Sequence, residues 1–292
     1  MSRLKKLITH AHEVLTRLEA LIPPAAQDPD WNSAIAFRWQ VRHGQPHVEP
    51  VDSLSGIQLD DLLGIDEQKT ALDLNTRQFL RGLPANHALL WGPRGTGKSS
   101  LVKALLNAHS AAGLRLIEVD RHDLGNLPDI AAALRGRDEK FVLFCDDLSF
   151  DANDTGYKAL KVALDGSVYS APSNLLIYAT SNRRHLLPEM QRDNLDHTYV
   201  DGEVHYGEAV EEKISLSERF GVWLAFHPFK QQQYLDIVQH WLSRLGHVDT
   251  DASAMERAAL QWAQLHGSRS GRSAWQFAKD WTGRHALSEM GN

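Results

Sequence analysis

One run of eight residues constrains this chain more than any other: Gly92-Pro93-Arg94-Gly95-Thr96-Gly97-Lys98-Ser99. It satisfies G-x-x-x-x-G-K-[ST] in full. The apolar stretch Ala88–Trp91 precedes it directly, and a helical stretch, Ser99–Ser110, follows. Glycines in such a turn let backbone N–H groups converge on phosphate oxygens, and the following helix adds the positive end of its dipole. The turn therefore predicts a nucleotide site built from Gly92, Pro93, Arg94, Gly95, Thr96, Gly97, Lys98, Ser99 and Ser100. Lys98 would bridge the terminal phosphates, and the Ser99 hydroxyl would ligate Mg2+.

The surrounding pattern supplies the matching frame. From about Leu63, helical and strand-like stretches alternate. Helix Glu67–Arg81 leads to strand Ala88–Trp91, and helix Ser99–Ser110 to strand Leu114–Val119. Helix Leu127–Leu134, strand Phe141–Cys145, helix Thr155–Leu164 and strand Leu175–Thr180 continue the series, and Val222–Phe226 follows a long polar stretch. Short apolar strands without polar alternation, separated by helices, indicate a parallel sheet covered on both faces. After Pro228 the pattern is all helical: Gln231–Leu245, Ala252–His266 and Ser273–Arg284. Three regions result: an N-terminal helical segment (1–58), a nucleotide-binding αβα domain (59–228) and a C-terminal helical lid (229–292). In the first, Leu4, Leu7, Ile8, Ala11, Val14, Leu15, Leu18, Leu21 and Ile22 recur at helical spacing until Pro23 and Pro24 stop the helix. A short apolar segment, Trp31–Val41, and a Pro/His/Gly-rich loop complete it. That region is too small for a large core of its own, so it is expected to pack on the rest of the chain or on a neighbouring subunit.

Composition removes several classes. The 292 residues are 42% hydrophobic, with 31 Lys+Arg against 37 Asp+Glu and a net charge of −6. That balance argues against a generally cationic nucleic-acid coat or a polybasic membrane binder, though a local basic groove remains open. The excess is local. Nine acids between Glu189 and Glu218 face only Arg192 and Lys213, and the rest of the chain is nearly neutral. This strip reads either as a solvated loop or as a docking strip at a subunit boundary. A single cysteine, Cys145, excludes an intramolecular disulfide framework, and no apolar run is long enough to span a bilayer. Cytoplasmic localisation and no membrane partner are expected. Fifteen histidines show no metal-ligand spacing, and His185, His197 and His205 fall in a polar loop. Trp241, Trp262, Trp275 and Trp281 are expected to pack within the lid.

Two further elements complete the candidate site. Phe141-Val142-Leu143-Phe144-Cys145-Asp146-Asp147 is an apolar strand ending in two carboxylates at the sheet's carboxyl edge, where the phosphate turn also lies. Asp146 would hold Mg2+, and Asp147 would orient or deprotonate the attacking water. Aspartate reaches one methylene less far than glutamate, which suits slow hydrolysis. Tyr178-Ala179-Thr180-Ser181-Asn182 is another strand ending in polar side chains; Asn182, or else Thr180, would bond the γ-phosphate or the water.

Taken in order, with Ser217-Glu218-Arg219-Phe220-Gly221 and Gly271-Arg272-Ser273 after them, these motifs resemble an AAA+ ATPase. More narrowly, about Leu59 to Trp281 is similar to an uncharacterised family of bacterial AAA+ ATP-binding proteins. The resemblance implies a five-stranded αβα core of sheet order 5-1-4-3-2, bound ATP and Mg2+, and homo-oligomeric rings or spirals. It also implies that Arg219 is an arginine finger reaching a neighbour's ATP and that Arg272, or Arg269 beside it, senses nucleotide from the lid. Leu63–Gln68 would lie against the adenine. A helix-end arginine paired with Glu218 or another acid remains the alternative for Arg219. Asp120–Asn126 lacks the aromatic pore loop of protein-threading relatives. The implied function is Mg2+-dependent ATP hydrolysis coupled to remodelling or loading of an unknown protein or nucleoprotein partner. The alternatives are an ATP-gated interaction module with negligible turnover, and a DNA-associated initiator or helicase-loader-like ATPase.

Overall fold

The structure is a computed structural model, and it describes residues 3–19, 30–42, 45–150, 155–165, 172–184, 186, 198–200, 203–205, 216–247 and 251–290. A seven-stranded sheet runs in the order β2-β1-β4-β5-β6-β3-β9. Its strands are β1 (Ala36–Arg42), β2 (Gln45–Pro50), β3 (Ala88–Trp91), β4 (Leu114–Val119), β5 (Lys140–Cys145), β6 (Leu175–Ser181) and β9 (Val222–Ala225). A separate antiparallel pair, β7 (Thr198–Val200) with β8 (Glu203–His205), lies within the acidic strip. The rest of that strip up to Ser215, with His185 and His197, lies outside the described residues.

The five strands β9-β3-β6-β5-β4 are parallel to their neighbours and stand in the expected order 5-1-4-3-2. The sheet is nevertheless larger than the expected five strands. β1 adds to β4 in parallel, and β2 folds back antiparallel on β1. Residues 1–58 are accordingly not a purely helical segment. Helix α1 covers Arg3–Glu19, and the apolar stretch after it is strand. The reason is period-two alternation. Phe37 and Trp39 are buried while Arg38 and Arg42 are exposed, and Trp31 packs edge-on against Phe37 and Phe141 at 4.8 and 5.1 Å.

Helices cover both faces: α2 (Asp66–Leu80) and α3 (Lys98–His109) on one, α4 (Leu127–Leu134) and α5 (Thr155–Leu164) on the other. Strand residues divide by parity between the two cores. Leu89, Leu143 and Ile177 face α4 and α5, whereas Leu90, Val142 and Leu176 face α2 and α3. The lid comprises α6 (Gln231–Arg244), α7 (Ala252–Leu265) and α8 (Gly271–Met290). Its buried Tyr234, Leu235, Val238, Ala259 and Phe277 are continuous with the α2–α3 core, so the lid shares the sheet's hydrophobic interior. The lid tryptophans pack as expected, Trp241 on Trp275 and both Trp262 and Trp281 on Phe277.

Candidate nucleotide site

The turn between β3 and α3 is fixed by glycine geometry. Gly92 has φ +141°, and a Cβ there would lie 2.2 Å from the Phe226 carbonyl oxygen. Gly95 has φ +75°, and a Cβ there would meet Ser270 Cβ at 2.7 Å. The second contact is lid on phosphate turn: the Gly271 N–H donates to the Gly95 carbonyl at 2.8 Å. Ser270 caps α8 by accepting the Ser273 N–H at 3.1 Å. Arg272 thereby stands on the wall of the cavity beside the turn, while Arg269 lines a different cavity with Pro93 and Arg94.

Four segments meet at the phosphate end. Lys98 is buried, and its Nζ donates to the Gly92 and Pro93 carbonyls at 2.6 and 2.8 Å and to Asn182 Oδ1 at 3.2 Å. Burial lowers its pKa below the ordinary lysine value, and Asp146 and Asp147 oppose that shift. Ser99 Oγ donates to Asp146 Oδ1 at 2.6 Å. Thr180 Oγ1 donates to the same oxygen at 2.5 Å and accepts the Asp147 N–H at 2.9 Å. Thr180 therefore holds the Asp146 carboxylate and the Asp147 backbone, and Asn182, just past the end of β6, reaches Lys98 and Asp147. Asp147 holds the left-handed conformation, φ +52°, which is costly outside glycine. Asn182 Nδ2 donates to its Oδ1, and Arg94 Nη2 donates to its Oδ2 at 3.1 Å. Arg94 is legible in the sequence as part of the turn, but no spacing signals its pairing with Asp147.

The cavity measures about 630 Å³, within the usual span for ligand sites. From Gly95–Ser100, Asp146 and Arg272 it runs to an apolar end lined by Leu62, Leu63, Ile65, Trp241 and Leu245. Leu63 and Ile65, from the segment expected to lie against the adenine, both line this cavity. At that end Asp61, buried, accepts from His240 and Arg244 of α6, a cluster that sequence spacing did not reveal. The donor set suits a hard cation: one hydroxyl and one carboxylate, Ser99 and Asp146, already face each other on the cavity wall. Cys145 is buried behind them with its thiol pushed up to about 12 by desolvation, a core residue and not a nucleophile. Among the described residues no His/Cys/Asp/Glu group could hold a metal ion by itself, and no helix is long and apolar enough to cross a membrane.

Arg219 lies elsewhere. Val222 pairs with Ala88 at the amino end of the parallel strands β9 and β3, so the turn that carries Arg219 sits at the sheet edge opposite Gly92. Its guanidinium Nε donates to Asp165 at the end of α5, and the Trp223 indole N–H donates to the Ser217 carbonyl at 2.6 Å. A surface acid does hold Arg219 within its own chain, and that acid is Asp165.

A sheet of this order, with a glycine turn after β3, carboxylates after β5 and a helical lid, is the AAA+ P-loop NTPase fold. The chain belongs to the family described as Protein of unknown function (DUF815), whose pattern matches residues 32–285. Among solved structures it is similar to the Thermotoga maritima RuvB Holliday junction branch migration motor. That likeness has 21% identity and a TM-score of 0.50, over 76% of this chain and 63% of that one. Two point variants of the same motor match at 20% and 19% identity, both with a TM-score of 0.51. The first covers 76% of this chain and 63% of its own, the second 77% and 65%. The chain therefore spans less than two thirds of the length of these structures, and the likeness is one of fold. No curated protein matches the chain.

Proposed function

We propose that this protein is a Mg2+-dependent ATPase that works as a homo-oligomer and couples hydrolysis to remodelling or loading of a macromolecular partner. The observation that carries the reading is a single hydrogen-bonded cluster, Lys98, Ser99, Asp146, Asp147 and Asn182, of which Lys98, Ser99 and Asp146 line a nucleotide-sized cavity. The glycine turn and Lys98 would bind the phosphates, and bound phosphate restores the charge that burial disfavours on the lysine. Ser99 and Asp146 would hold Mg2+, which supplies Lewis-acid neutralisation of phosphate charge when bound. Asp147 would orient and deprotonate the water, with Asn182 fixing its carboxylate. Arg272 would report nucleotide to the lid. Arg219 would complete the site of a neighbouring subunit, a reading supported by its position at the opposite sheet edge.

The test is phosphate release beside nucleotide binding. Wild-type protein should hydrolyse ATP, Lys98→Ala should lose binding, and Asp147→Asn should bind ATP without turnover. Immobilised with ATP, the last variant also serves to capture the partner. Turnover surviving in Asp147→Asn would overturn the assignment of the base. One observation favours the second reading, an ATP-gated module: both Asp147 oxygens are occupied, by Asn182 and Arg94, and its side chain is short. That reading requires ATP to change oligomer size, seen by light scattering, with no phosphate released. DNA association is tested separately by binding that weakens as salt rises.

A further inference from the structure

The apolar end of the cavity carries a charged arrangement that phosphate chemistry does not use. Asp61, its side chain 2% exposed, precedes the adenine-facing segment and is held by four donors. The Gln58 N–H reaches Oδ2 at 2.8 Å, and His240 Nε2 reaches Oδ1 at 3.0 Å. Arg244 Nε and Nη2 engage Oδ1 and Oδ2 at 3.2 and 3.4 Å. A carboxylate this buried persists only when paired, and here it is. The arginine is the unusual member. Its side chain remains 52% exposed and lines the cavity together with Trp241, three residues earlier on α6. The Nε/Nη2 edge of its guanidinium is committed to Asp61, which fixes the plane of a side chain that lines the cavity. A fixed guanidinium plane is a preorganised stacking surface for an aromatic ring.

We propose that Arg244 is the side chain that recognises the base, by stacking its guanidinium plane on a purine, and that Asp61 is the positioning residue that orients it. The inference rests on the reading of this cavity as a nucleoside triphosphate site. Stacking scales with ring area, so it selects purine over pyrimidine triphosphates and leaves adenine and guanine undistinguished. A tie that merely fastened α6 to the core would not discriminate among bases.

Calorimetric titration of the full chain with ATP, GTP, CTP and inorganic tripolyphosphate separates the cases. Wild type should bind ATP and GTP about tenfold more tightly than CTP. Arg244→Ala should bring ATP and GTP close to CTP while tripolyphosphate affinity stays unchanged. Asp61→Asn should act in the same direction, and combining it with Arg244→Ala should add nothing further. Should Asp61→Asn also loosen the lid, Arg244→Ala still decides the matter. Equal losses for ATP and tripolyphosphate, an unchanged ATP affinity in Arg244→Ala, or CTP bound as tightly as ATP by wild type would each overturn the proposal while the nucleotide site stands. Wild-type protein that binds none of the four would overturn the nucleotide site itself.

Discussion

The placement of Arg219 leads to a prediction that mixing two inactive variants restores activity. In the register of β9 on β3, Val222 stands beside Ala88, and Gly92 is four residues further along. At the rise of a parallel strand that is about 13 Å, with Arg219 three residues further back still. One side chain does not cover that distance, so any catalytic use of Arg219 is in trans. Arg219→Ala should then retain ATP affinity and lose turnover by on the order of 10³–10⁵. Asp147→Asn should lose turnover in the opposite way, its own site disabled and its Arg219 intact. In an equal mixture of head-to-tail assemblies, a productive interface needs the site of one variant beside the finger of the other, which random mixing supplies at about one interface in four. Phosphate release from the mixture should therefore recover to about a quarter of the wild-type rate per subunit, far above either parent alone. The assay is steady-state phosphate release after co-incubation, with light scattering to verify that the variants co-assemble. Co-assembly without recovery would refute action in trans, and so would undiminished turnover in Arg219→Ala.

Two predictions concern the frame of the site. Gly92→Ala would drive a Cβ to 2.2 Å from a backbone carbonyl that cannot swing aside, at φ +141°. Overpacking and backbone strain together should cost about 2–4 kcal/mol, read as a lower urea midpoint with an unchanged slope. His87 accepts the Ile177 N–H on Nδ1, and burial lowers its pKa from 6.5 to about 4. Above pH 6.5 the ring is neutral in both states. Between 6.5 and 4 only the unfolded chain takes up the proton, so stability falls across that window, by about 3 kcal/mol at most. Urea melts from pH 7.5 to 4 should show this loss, and a His87→Gln variant should flatten that part of the profile. An equally steep loss in the variant would contradict the assignment.

What could be read from one sequence followed from local order. Unbroken apolar strands such as Phe141–Cys145 carry their burial in their composition, and a glycine turn between strand and helix fixes where the phosphate end lies. The hairpin β1–β2 escaped because its signals conflict. Phe37, Trp39 and Val41 alternate with Arg38, Gln40 and Arg42 as a half-buried strand should, yet the returning strand holds Pro46 and Pro50 and reads as loop. Within the site, Lys98, Ser99, Asp146 and Asn182 were legible because each ends or begins a regular element, and the structure does bring them together. The hold of Thr180 on the Asp146 carboxylate and the Asp147 backbone, the Arg94 grip on Asp147 and the Ser270 seat under the lid follow from tertiary placement. So does the tie from Asp61 to His240 and Arg244, across 179 and 183 residues. No periodicity links residues so far apart, and a lone buried aspartate in sequence looks like any surface one.

The hairpin that sequence concealed also determines how this flank of the sheet meets the outside. A bare β4 edge would offer a row of backbone donors and acceptors to any extended chain. β1 covers that row, and β2 then presents a strand in which Pro46 and Pro50 lack the N–H that further pairing needs. Charge finishes the rim: Glu49 is paired with Arg42 at 2.6 Å and lies 3.4 Å from His47. The sheet thus terminates on this side by its own chemistry. An extended chain meeting this flank finds side chains in place of an open row of backbone groups, which blunts the open-ended strand addition that leads to aggregation.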